Sequence, residues 1–222
     1  MKCGQKSEGV ATLLGRLNYF LMKHIRENGV LYIVFLIIFS LGISLGAFWV
    51  GNLTIESKDL LIRYLNGFFN LIPGDILNSG KLFKASFINN AGSAALLLVF
   101  GFTYLGIAFS SLYMLFKGFC FGFSVAFLVE GFGRKGLIFS LVSLLPHSIV
   151  LIPGTIFLCA VSLQYSLYLL KTKNDRGYEY KRQNVMSYLI SFIFGLIILI
   201  AASLIESYIT PIFIKSVSSF IL

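Results

Sequence analysis

Apolar residues run along this chain in long blocks rather than alternating with polar ones. A helix needs about 20 apolar residues, at 1.5 Å rise each, to cross a bilayer core of about 30 Å. Five segments reach that length: 30–50, 88–109, 112–129, 147–170 and 187–208. Tyr32 and Trp49 lie at the two ends of the first, where amphipathic rings favour the headgroup level. The second and third follow so closely that they form a tight antiparallel hairpin. The apolar run over 137–170 is too long for one crossing, and Pro146 interrupts it. It therefore divides into a short re-entrant or interfacial helix over 137–146 and the span over 147–170, with Pro153 near that span's outer end. The last span stops before Pro211. The pattern predicts an all-α integral membrane protein of five transmembrane helices, with a tail over 1–29 and one helical domain over 30–222.

The stretch 51–87 reads differently. Leu60, Leu61, Tyr64, Leu65, Phe68 and Phe69 recur at helical spacing, while Asp59, Arg63, Asn66 and Asn70 fall on the opposite face. This is an amphipathic helix in the first outer loop, ended by Pro73-Gly74. It can lie flat on lipid or on its own bundle, and a helix docked on a partner protein has the same pattern.

Composition agrees with the spans. The chain has 222 residues, 57% hydrophobic and only 12% charged, where a soluble domain carries roughly a quarter charged. A mean hydropathy of +0.87 leaves more apolar surface than one core of this size can bury, so lipid is a partner and a soluble globule is excluded. The same numbers exclude disorder. Three cysteines make no disulfide framework, and Cys3, Cys120 and Cys159 read as free thiols. The net charge of +9 would suggest nucleic acid in a soluble protein. Here the basic residues flank apolar runs, which assigns them to headgroups and topology and leaves no nucleic-acid partner. An inside amino terminus puts eleven Lys and Arg inside, Lys117 among them, against seven outside, which predicts N-in and C-out. No cleavable leader is evident, so the first apolar run reads as a retained helix.

Small residues recur every four positions, at Gly42 and Gly46 and at Gly118, Gly122 and Ala126, a spacing that lets helix backbones approach closely. Packing inside the bundle explains them first; a homo-oligomer would use the same faces. Residues 131–136 match G-x-G-x-x-G, but they lie in a short turn with no preceding strand, so the match is a decoy. Pro146-His147 followed by Pro153-Gly154 is the most unusual feature. Breaking a helix at membrane depth frees backbone groups, and an ionisable residue there either satisfies one or serves a function. No second ionisable residue adjoins His147 in sequence; Glu130 and Glu206 are candidate partners, but both fall near span ends, where an acidic residue reaches headgroups and needs no special role. With only His24 and His147 in the chain, a metal site is not expected. Ser148 beside His147 makes no hydrolase, because helix neighbours do not face each other. No cofactor is expected and the chain does not read as an enzyme. A small transporter or channel subunit using the break around Pro146 and Pro153 is the rival class.

Phe87-Ile88-Asn89-Asn90 leading into the second span, the Gly-rich hairpin, and the block Leu144-Leu145-Pro146-His147-Ser148-Ile149-Val150-Leu151-Ile152-Pro153 resemble the stage II sporulation protein M family over nearly the whole chain. Related membrane proteins carry Pro-His-Gly with an acidic residue nearby; Ser148 and Leu151 stand in those places here, which favours the sporulation branch over proton or ion chemistry. The resemblance implies a non-enzymatic protein of the bacterial cell membrane, on the mother-cell side of the sporulation septum. It implies a scaffold role in engulfment, with stage II sporulation proteins D and P, the peptidoglycan-degrading enzymes, as partners. The first outer loop and the turn over 130–136 are the expected partner-binding surface.

Overall fold

The computed structural model describes residues 28–71, 79–171 and 178–214, and it is helical almost throughout. Helix α1 is Gly29–Gly51, α2 Ile55–Leu71, α3 Ser79–Gly101, α4 Gly106–Lys171 and α5 Tyr178–Leu204. A π-helical turn, Ile205–Ile209, continues α5, and ordinary helix resumes over 210–214. Among the described residues, four helices are long and apolar enough to cross a membrane: α1, α3, α4 and the helix Val185–Ile214. Their outward faces are apolar, with Val30 73% and Phe48 72% exposed, as a lipid-facing surface requires. The tail up to residue 27, Pro73-Gly74 and most of the loop after α4 lie outside the described residues.

Helix α4 is two arms rather than one rod. Gly133 takes φ 58 and ψ −133, a backbone that only glycine adopts readily, and the chain reverses there. Gly136 then comes against the Leu128 carbonyl, where a Cβ would collide. The arms 106–132 and 134–171 run antiparallel. The second arm is continuous through Pro146 and Pro153. This corrects the expected break: 137–146 belongs to the same helix as 147–170, and the reversal sits at Gly133, where the positive φ places it. The rival transport reading loses the broken segment on which it rested.

The hairpin between the second and third spans is also displaced. A turn near Ser110-Ser111 was expected, but Ser110 donates to the Gly106 carbonyl at 2.6 Å and Ser111 to the Ile107 carbonyl at 2.9 Å. Back-bonded serines satisfy themselves inside a helix, so the helix does not end there. The turn is 102–105 instead. Ser166 clasps it by donating to the Gly101 and Thr103 carbonyls at 3.1 and 2.9 Å, and a Cβ on Gly101 would strike the Tyr188 hydroxyl. Helix also continues past Pro211, where the fifth span was expected to stop; the π turn one step earlier shifts the ladder and accommodates the missing N–H.

The second arm is the hub. Residues 154–163 are all buried, the signature of a helix surrounded by others. Helix α1 packs parallel to the first arm through the predicted glycines. A Cβ on Gly42 would meet the Leu115 carbonyl, and one on Gly46 the Phe119 carbonyl. In return, a Cβ on Gly118 would meet the Phe39 carbonyl and one on Gly122 that of Ile43. These contacts are backbone to backbone, and they fulfil the reading of this face as internal packing. Helices α3 and α5 run antiparallel, joined at one end by Tyr188, whose hydroxyl donates to the Leu98 carbonyl at 3.1 Å.

Candidate functional site

Two places gather the residues that carry chemistry. The first is the Gly133 end of the bundle. Thr54 starts α2: its hydroxyl accepts from the Ser57 N–H at 3.4 Å and its carbonyl from the Lys58 N–H at 3.0 Å, an N-terminal cap. One turn later Lys58 forms an ion pair with Glu130, on the last turn of the first arm. The Ile62 side chain lies beside Gly131, 3.5 Å from where a Cβ would sit. The two segments expected to bind partners, α2 and the turn over 130–136, therefore form one surface.

On that surface Ile55 is 79% exposed and Leu60 70%, and Leu61 is partly buried. Tyr64, Leu65, Phe68 and Phe69 lie on α2 as expected, but their side chains are outside the described residues. Among the described side chains, α2 meets its bundle at Lys58 and Ile62 and presents Ile55 and Leu60 outward.

The second place lies halfway along the helices. Asn90 is buried in α3 and its amide donates to the Ser203 hydroxyl of α5 at 3.0 Å and to Ser86 at 3.4 Å. Ser86 in turn donates to Glu206 Oε2 at 2.5 Å. Ser203 and Ser207 donate back to the Leu199 and Ser203 carbonyls at 3.0 and 2.5 Å. Of the singled-out asparagine pair, only Asn90 faces this network; Asn89 is exposed, and its carbonyl accepts from Ser93. Glu206 sits inside the π turn, a local geometry frequent at functional sites.

Glu206 also lines a cavity of about 350 Å³ together with Ser143, Leu144 and His147. His147, Leu144 and Ser124 are shared with an adjoining cavity of about 180 Å³, whose opposite wall carries Lys117 and Cys120. His147 thus stands between a carboxylate and an ammonium, each across a cavity that it lines. Lys117, counted above with the inside loops, lies about three turns into the helix that begins at Gly106, its ammonium 5.6 Å from the Tyr113 ring centre. The His147 Nδ1 is shielded from solvent and has no hydrogen bond of good geometry among the described residues. Pro146 directly precedes His147 and is partly buried, and Pro153 lies further along the same helix and is exposed.

Sequence reasoning singled out Asn90 and His147 and weighed Glu206 as a candidate partner of His147, but it missed Ser86 and Ser203 and gave Lys117 no role beyond topology. It assigned Lys117 to the inside surface and Glu206 to a span end, because a lone charge in an apolar run reads first as one that reaches the headgroups. A longer α5 was legible in the apolar residues on both sides of Glu206. Among the described residues no three His, Cys, Asp or Glu side chains group as metal ligands do.

A family model described as Stage II sporulation protein M matches residues 35–211, a segment that contains both places. No curated protein and no solved structure matches the chain.

Proposed function

The chain belongs to the stage II sporulation protein M family, a sporulation-related membrane protein, and on that premise we propose that it is a non-enzymatic scaffold that holds peptidoglycan-degrading enzymes at the septal membrane. The observation that carries this reading is the Lys58–Glu130 ion pair, which joins α2 and the Gly133 turn into one platform that presents the apolar Ile55 and Leu60 outward. Stage II sporulation proteins D and P, wall enzymes working next to this membrane, are the partners it fits.

The helix directions support a five-pass path, and the bias of basic residues is what favours an inside amino terminus. Helix α1 runs parallel to the first arm, as first and third spans must. Helix α3 runs parallel to the second arm, with Ser162 donating to the Leu97 carbonyl at 2.9 Å and Ser166 to that of Gly101. It runs antiparallel to α5. On this path α2 and the Gly133 turn both face outward, towards the wall, on the mother-cell side of the septum.

The test is co-purification of the two enzymes from sporulating cells with an Ile55→Asp, Leu60→Asp double variant that still accumulates in the membrane. Recovery of both should fall at least about tenfold, the loss expected when a buried anchor contact is removed. Unchanged recovery removes this platform from the interface.

A further inference from the structure

We propose that Lys117, His147 and Glu206 form a proton-binding relay inside the helical bundle, wetted by the two cavities that meet at His147. This site is separate from the partner platform and does not depend on it. The geometry starts from the hairpin. Its arms place Lys117 and His147 on facing walls of one cavity. The π turn in α5 brings Glu206 to the other side of the same imidazole.

The class of ligand follows from the donor set. One imidazole and one carboxylate beside an ammonium coordinate a metal ion poorly, since the ammonium opposes a second cation. The three groups suit a proton. With His147 neutral, a lysine ammonium and a glutamate carboxylate sum to zero charge, the state a low-dielectric interior favours. Cavities of about 180 and 350 Å³ have room for several waters, and the hydroxyls of Ser124 and Ser143 on their walls supply polar partners.

The transfer conserves charge and atoms. The Lys117 ammonium gives a proton through water to one ring nitrogen of His147. The N–H on the opposite ring nitrogen releases its proton to the Glu206 carboxylate. Lysine ends as the neutral amine, glutamate as the carboxylic acid and the imidazole as its other tautomer. Ser86, donating to Glu206 Oε2, holds the carboxylate in place against α3. The titratable and charged groups around the imidazole are Lys117 and Cys120 from the first arm and Glu206 from α5, with Tyr113 and Cys159 behind Lys117. Helix α1 contributes Phe39 to this wall, which does not titrate.

The chain has two histidines, so His24→Gln leaves His147 as the single imidazole. The full chain with that substitution, labelled with nitrogen-15 histidine and placed in lipid nanodiscs, is followed by NMR from about pH 5 to about pH 9. The expected result is a reversible titration of the His147 ring nitrogens. Adding Glu206→Gln or Lys117→Gln then moves the midpoint by about one pH unit in opposite senses, because each removes a charge of opposite sign. A ring spectrum that stays constant across the range overturns the proposal without recourse to the further variants. So does a midpoint that both substitutions leave in place or move in the same sense.

Discussion

At the scale of single residues, the structure turns on a few polar side chains and one glycine. Asn90 bridges α3 and α5 through Ser203, and Asn90→Ala should lower stability by about 1 kcal/mol, the usual worth of an interhelical hydrogen bond in a membrane protein. Unfolding in mixed detergent, read by circular dichroism, measures it. A Ser203→Ala partner should then add less than its separate cost, since the two act through one bond. Gly133→Ala should cost about 1–3 kcal/mol in the same assay, because its backbone lies where side chains are strained. The sequence made part of this legible: Asn90 and His147 stood out as polar residues in apolar surroundings. Ser203 did not, and Glu206 could be named only as one candidate partner of His147, because both come from a distant helix that only the tertiary fold brings alongside.

At the scale of elements, two contacts decide the arrangement. The α1 interface is backbone to backbone at Gly42, Gly46, Gly118 and Gly122, so Gly46→Leu should push the helices apart and strongly reduce the folded protein recovered from membranes. An equal substitution at Gly92, where a Cβ meets nothing, is the matched control and should be tolerated. The α2 contact joins an ion pair to an aliphatic contact. An engineered disulfide between Ile62→Cys and Gly131→Cys, in a background without the native cysteines, should form readily. Lys58→Glu should weaken its formation and Glu130→Lys in the same chain should restore it. The glycine faces and the amphipathic α2 were readable from spacing alone. The helix limits were not. Serine pairs and prolines look like breaks in sequence, yet back-bonded hydroxyls and a π turn carry the helix through Ser110-Ser111 and Pro211.

At the scale of the whole molecule, the bundle holds two separate places: largely apolar cavities around His147 that Lys117 and Glu206 also line, and a platform at the Gly133 end. The helix directions put residues 103 and 134 on opposite sides, and the proposed inside amino terminus then predicts that Arg134→Cys is labelled by a membrane-impermeant maleimide from outside the cell, whereas Thr103→Cys is labelled only after permeabilisation. The reverse pattern contradicts the proposed orientation. The central claim is that the α2 platform holds wall enzymes, and photo-crosslinking in sporulating cells addresses it most directly. A photoactivatable residue at the exposed Leu60 position, followed by mass spectrometry, should capture stage II sporulation protein D or P, and the same probe at the buried Phe192 should not. Capture of lipid alone at position 60, with neither enzyme, would contradict the scaffold account.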